Sequence, residues 1–234
     1  IHNVPIENTG KLMEYLKAYD LSPRGGGGNT VRNITACPLA GGRDTGVIEV
    51  RDYAIGLTEY MLKDDKSYNL PRKYKIAFSG CGLDCAHATV NDLGLLAKKN
   101  VVDGVGVEGF SVYVAGGLGA SSRVAKLLEE FIPASEVGYV AEAVKRVFNL
   151  HGNRKDKHHA RLRFLVEDLG LDEFKRLYRE ELANLKESEE ISLRQPEFTY
   201  PSGEDEEIVG GEDDDQFTEF VKQNVLNQKQ KGLY

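Results

Sequence analysis

An α+β fold, with a mixed β-sheet flanked by helices, is what this sequence predicts, and three observations carry it. Residues 72–78 set Arg72, Tyr74, Ile76 and Phe78 on one side and Lys73, Lys75 and Ala77 on the other, the period of two of a β-strand. Residues 110–114 repeat that alternation, with Phe110, Val112 and Val114 against Ser111 and Tyr113. The period then changes: behind Pro133 and Ser135, the residues Val137, Val140, Ala141, Val144 and Phe148 form one helical stripe to about Leu150.

The other elements follow in order. Asn8 and Thr9 cap a helix to about Asp20, whose stripe of Leu12, Tyr15, Leu16 and Tyr19 reads as a packed face. Pro23 ends it. The glycine-rich loop 24–30 contains neither G-x-G-x-x-G nor a Walker lysine and is given no role. A short β-prone run over 31–41, a short strand over 47–50 and a helix over 53–63 with Tyr53, Leu57, Tyr60 and Met61 inward lead to the strand of 72–78. A glycine-bearing turn, 79–85, then offers Cys81 and Cys85. Strands are expected over 89–97 and 109–115, joined by 98–108. The loop Gly116-Gly117-Leu118-Gly119 lets backbone approach either a ligand or the next helix, and both readings stand. Ser121 or Ser122 caps a helix to about Phe131. After a basic stretch, 151–163, one helix is closed by Gly170 and another runs over 172–185. From residue 186 the composition turns acidic and open, with 204–207 and 212–215 flanking Gly210-Gly211, before 216–226 regains helical character.

Composition excludes several classes. The 234 residues carry a net charge of −7, so no basic surplus exists for general nucleic-acid binding. No apolar run approaches the roughly 18–20 residues of a membrane span. Three cysteines make no closed disulfide framework, and no signal segment opens the chain, so a cytoplasmic protein is expected. Within this acidic chain, Lys73 and Lys75 share one strand face with Cα atoms roughly 6.6 Å apart, close enough for both ammonium groups to reach one small anion. With thiols in the next turn, redox work on an anion is the chemistry suggested. The basic stretch 151–163, from composition alone, reads as a solvated turn.

Three segments then agree on a family. Val31-Arg32-Asn33 followed by Cys37-Pro38-Leu39-Ala40-Gly41, then Leu70-Pro71-Arg72-Lys73-Tyr74-Lys75, and then Gly152-Asn153-Arg154 with Ala160-Arg161, resemble in order and spacing the first homologous half of the sirohaem-containing sulfite and nitrite reductases. Val114 to Gly119 and the helix after Phe131-Ile132-Pro133 fit as well. The resemblance implies one half of a duplicated fold and a six-electron reduction of sulfite to sulfide or of nitrite to ammonia on sirohaem iron. A 4Fe–4S cluster sharing a cysteine with that iron would feed the electrons, with ferredoxin as the common donor.

The residue roles come from the resemblance. Arg32 corresponds to the arginine over the distal haem face, and Lys73 and Lys75 to the two substrate lysines. Asn153, Arg154, Lys157 and Arg161 correspond to residues that hold sirohaem carboxylates, a reading that overtakes the solvated turn, and Gly116 and Gly117 are counted as cofactor-binding with them. The family's C-x5-C and C-x3-C pairs lie in the second half. Here Cys81 and Cys85 have the second pair's spacing, Cys37 stands where the first pair would end, and Val31 stands at its start. The three are read as cluster ligands or as the remnant of a duplicated site, with the remnant preferred; a zinc site adding His87 is a third reading. Residues 1–185 are expected to form the site-bearing domain and 186–234 an acidic linker to a missing second half, so that the piece alone does not turn over. The alternatives are a non-catalytic iron–sulfur or zinc-binding module, and an interaction domain using its acidic tail.

Overall fold

The computed structural model describes residues 3–19, 21–42, 46–102, 104–119, 121–194 and 215–225. Five strands, β1 (Thr35–Ala36), β2 (Ile76–Ser79), β3 (Leu93–Val102), β4 (Val105–Val114) and β5 (Lys126–Pro133), form one sheet in that order. β1, β2 and β3 run parallel, whereas β3, β4 and β5 pair antiparallel. The mixed sheet is therefore as expected. The helices are α1 (Thr9–Lys17), α2 (Val50–Lys63), α3 (Val137–His151), α4 (Leu162–Leu169), α5 (Leu171–Ser188) and α6 (Asp215–Asn224).

β2 is buried along its whole length, as a parallel strand covered on both faces must be. The face of Tyr74 and Phe78 turns toward helices: the Tyr74 hydroxyl donates to Ala141 O of α3 at 3.4 Å, and the Phe110 ring meets Phe78 and Tyr53 of α2 edge-on at 5.7 and 5.5 Å. Over the other face lies the 3-10 turn Ala88–Val90. A Cβ added to Gly94 would meet Ala88 O at 2.4 Å, so the strand needs glycine there. The expected stripe of α3 is buried at every position: Val137, Val140, Ala141, Val144 and Phe148.

A buried ionic network joins α3 to the turn that follows α2. Lys145, 1% exposed, places Nζ 2.5 Å from Asp64 Oδ2, 2.8 Å from Glu142 Oε2 and 3.1 Å from Ser67 Oγ. Glu142, also 1% exposed, accepts from Arg146 Nε at 2.8 Å. Chain packing continues beyond α5: Ile191 is buried and lies with Leu193 against Gly138.

Several boundaries differ from expectation. Residues 47–50 form no strand; Val50 opens α2, where Glu49 Oε1 accepts the Arg51 N–H. Residues 89–90 belong to the 3-10 turn, and β3 begins only at Leu93. Residues 98–108 are not a connection but the outer arms of the β3–β4 hairpin, in register from Leu93↔Val114 to Val102↔Val105. The Asp103-Gly104 dipeptide between the arms is a strong hairpin signal, and Gly104 takes φ +79°. The helix expected over 121–131 is instead strand β5. Its buried Leu128 and Ile132 lie four residues apart, a spacing shared by one strand face and one helix face, and pairing with β4 overrides the helix propensity of its Leu and Glu residues. α1 has no buried residue, so its stripe is not the packed face that was expected. The acidic runs over 204–207 and 212–214 lie outside the described residues.

Candidate functional site

The site is built on main-chain pairing between two segments some forty residues apart. Val31 and Tyr74 form a parallel bridge: Arg32 N–H donates to Tyr74 O at 2.8 Å and Tyr74 N–H to Thr30 O at 2.9 Å. Val31 and Tyr74 point into the core, at 2% and 0% exposure, so Arg32, Lys73 and Lys75 alternate onto the opposite, accessible face. The regular strand begins only at Ile76; the two lysines sit on its extended lead-in.

The cations converge on Lys73. Burial holds the Lys73 ammonium below the usual lysine range, and the positive charges of Arg161, Lys75, Arg32 and Arg72 lower it further. Of the six cations read as substrate or haem-carboxylate residues, four from three separate segments, Arg32, Lys73, Lys75 and Arg161, thus share one electrostatic neighbourhood. Arg72 joins them, a residue the strand pattern had set on the other side.

Arg161, at the N-cap of α4, reaches this place through Asp92. Its Nη2 and Nε donate to Asp92 Oδ2 and Oδ1 at 2.7 and 3.2 Å, and the Lys75 N–H donates to Asp92 Oδ2 at 2.9 Å. Burial, the largest influence, pushes the Asp92 carboxyl above the ordinary carboxylate range against the pull of Arg161, the Lys75 N–H and Arg163. A protonated Asp92 would strand the half-buried guanidinium, so the ionised pair is the stable form at neutral pH.

The rest of the basic stretch is ordered by its own turns. Arg154 Nη2 donates to Asn69 O at 2.9 Å and to Asn149 Oδ1 at 2.6 Å, tying the stretch to the residue before Leu70. Asn153 Oδ1 accepts the Lys155 and Asp156 N–H groups at 2.9 and 3.0 Å, and Lys157 is exposed. Gly116 and Gly117 are spaces filled by the chain itself: added Cβ atoms would meet Asn91 O and Thr89 O at 2.6 and 2.7 Å, and Arg163 Nη1 at 2.3 Å.

Among the described residues no carboxylate pairs with Arg32, Arg72, Lys73, Lys75, Arg154 or Lys157, whereas Arg123, Arg146 and Arg176 are all matched by glutamates. Positive charge without carboxylate partners, gathered at Lys73, Lys75, Arg32 and Arg72 in a chain of net −7, suits a strongly anionic ligand. A tetrapyrrole rich in carboxylates and a small oxyanion both fit that donor set.

The cysteines are placed differently. Cys37 and Cys81 are buried and Cys85 half-buried. Among the described residues no group of three or more His, Cys, Asp or Glu side chains stands together as a metal site, so neither the cluster set nor the zinc set with His87 is assembled. Instead the C-x3-C turn is organised by Asp84, at φ +50°, which accepts from Ser79 Oγ at 2.7 Å, Thr89 Oγ1 at 2.6 Å and the Ala88 N–H at 2.6 Å. Burial pushes the Asp84 carboxyl up, but these hydrogen bonds outweigh it and hold it below the usual carboxylate range. A folded-state value below the unfolded one means stabilisation present above the unfolded pKa and lost as pH falls through the folded one. Asp84→Asn is therefore expected to flatten the loss of stability between roughly pH 5 and pH 3, read as urea midpoints at each pH. Equal slopes in parent and variant would contradict this.

Fold and charge together define an α+β module that gathers cations without carboxylate partners at the lead-in to β2 of a mixed sheet. Comparison with known proteins gives the family. The chain belongs to the nitrite and sulphite reductase 4Fe-4S domain family, whose profile matches residues 27–186. It is 35% identical over 206 residues to the assimilatory ferredoxin-dependent nitrite reductase of Haloferax mediterranei, covering 87% of this chain and 35% of that protein. With the protein named sulfite reductase (ferredoxin) 1 of Mycolicibacterium paratuberculosis it shares 31% identity over 184 residues, 79% of this chain and 32% of the other. The solved Mycobacterium tuberculosis NirA protein superposes with a TM-score of 0.69 at 28% identity, over 82% of this chain and 34% of that one. Dissimilatory sulfite reductase I, at 13% identity and a TM-score of 0.61, covers 94% of this chain and 67% of its own and shares the fold. The chain spans about a third of the length of the curated relatives it matches. Sirohaem and a 4Fe–4S cluster are the cofactors of this family. Among the described residues no helix is long and apolar enough to cross a membrane.

Proposed function

We propose that this chain supplies the oxyanion pocket and part of the sirohaem seat of a reductase that carries sulfite to sulfide or nitrite to ammonia. The gathering of unmatched cations around Lys73 carries the reading. Sirohaem, when bound, supplies the iron that holds the anion and passes it electrons. Arg32 grips two oxygens of the anion with its planar fork, while Lys73 and Lys75 offset charge gathering on those oxygens and hand over protons as water leaves. The depressed ammonium of Lys73 suits proton delivery, because it parts with its proton more readily than an ordinary lysine. Arg154, Lys157 and the amide of Asn153 meet carboxylates of the tetrapyrrole, and Gly116 and Gly117 serve the seat by admitting Arg163 beside it.

On this reading residues 1–185 are the site-bearing half, and 186–234 form the connection to a second half that provides the cluster's thiolates, since three cysteines are one short of four. Ferredoxin is the proposed electron donor, because the nitrite and sulfite reductases matched above are ferredoxin enzymes by name. Arg154→Ala and Lys157→Ala, introduced into a reductase of full family length carrying this chain, test the seat. The visible tetrapyrrole band per protein is expected to fall while anaerobic iron and sulfide analysis still shows the cluster. An unchanged band in both variants, or a parent protein with metal but no tetrapyrrole band, would overturn the reading.

A further inference from the structure

Asp92 belongs to no motif of the sequence, yet four structural features meet on it. It is completely buried. One carboxylate oxygen takes the Lys75 N–H, and both oxygens take the Arg161 guanidinium. Its own carbonyl accepts the N–H of Ala115, a non-glycine residue held at φ +70° where β4 ends, and the next residue's N–H, that of Leu93, donates to Lys75 O at 3.1 Å. The lead-in to β2, the start of β3, the end of β4 and the N-cap of α4 are thus fastened to one residue. A buried charge is costly unless matched, so a carboxylate in such a place is there for its partners.

We propose that Asp92 is the positioning residue of the oxyanion pocket, setting the place of Lys75 and Arg161 from beneath and, through them, how the pocket's cations converge. It touches no substrate; it acts through Lys75, read as a substrate cation, and Arg161, read as a haem-carboxylate cation. The assignment rests on the oxyanion-pocket reading, and its test runs without substrate or tetrapyrrole, so that the two fail separately. Arg161 is one of the charges felt by Lys73, and Asp92 is the counter-charge bonded directly to Arg161. Removing that counter-charge must therefore register at Lys73, which Asp92 itself does not touch.

The experiment uses this 234-residue chain with its lysine amines reductively methylated with carbon-13, a change that keeps the charge, and follows the Lys73 signal by NMR through a pH titration. In Asp92→Asn the Lys73 midpoint is expected to move by about half a pH unit or more. It moves down if Arg161 stays with its charge no longer offset, and up if Arg161 swings into solvent; either displacement shows Asp92 governing the pocket. A midpoint that does not move in a folded variant overturns the assignment, because a purely structural role would alter Tm without moving Lys73. Where Asp92→Asn does not fold, hydrogen exchange in the parent chain decides. The Lys75 amide precedes the strand and carries an exposed side chain, yet is expected to exchange on the order of 100-fold more slowly than an open-chain amide. Exchange at the open-chain rate overturns the assignment.

Discussion

In a reductase of full family length carrying this chain, Lys73→Ala or Lys75→Ala lowers turnover about 10²–10³-fold while the tetrapyrrole content stays close to that of the parent. The expectation follows from how the lysines are held. Their place is set by main-chain bonds through Tyr74 and by the Lys75 N–H on Asp92, none of which is lost when a side chain is cut back to Cβ. Lys75 is exposed and Lys73 only half-buried, so the fold loses little, within about 0.5 kcal/mol for an accessible position. What is lost is a fixed cation facing charge that grows on the departing oxygens, where a preorganised donor has its largest effect. Steady-state turnover measured beside the visible band separates the two quantities. Parallel loss of turnover and band would mean that the lysines hold the tetrapyrrole and not the anion.

Lys145→Ala is expected to cost about 3–5 kcal/mol of stability, because it removes one partner from a buried ionic network and leaves the others unmatched. In a chain of this size that is a fall in Tm on the order of 10 °C, measurable by calorimetry or thermal denaturation followed by circular dichroism. Glu142 stays buried beside Arg146, while Asp64 loses its cation. The consequence reaches the site. Ser67 bonds Lys145 through its hydroxyl and accepts the Val31 N–H through its carbonyl at 2.9 Å, so loosening the 3-10 turn Asp65–Tyr68 loosens the segment that carries Arg32. A Tm within about 2 °C of the parent would show that neighbouring water or rearrangement compensates the missing ammonium.

Where one periodicity dominated, the sequence was legible. The stripe of α3 and the alternation about Tyr74 are buried as read, because each has a long apolar face that only one arrangement can hide. β5 was illegible for the opposite reason: Leu128 and Ile132 suit a helix as well as a strand, and the unpaired edge of β4 decides between them. Residues 98–108 were misread although Asp103-Gly104 announces a two-residue turn, because the arms around it are polar enough to pass for a loop. In the site, Arg32, Lys73, Lys75 and Arg161 were identifiable by type and motif. Asp92 was not, since an acid between Asn91 and Leu93 has no period to mark it, and its importance exists only once Arg161, far along the chain, folds back onto it.

The bridge between Val31 and Tyr74 has a consequence for how such a site can change over generations. The frame is made of amide and carbonyl groups, which every residue but proline possesses, while the chemistry is made of side chains on the far face. Frame and chemistry are therefore inherited separately. On the proposed function, a lineage can exchange the groups presented at residues 32, 73 and 75 and so retune which anion is held, without renegotiating the sheet beneath them; proline at residue 32 or 74 would sever the frame while leaving every other cation in place.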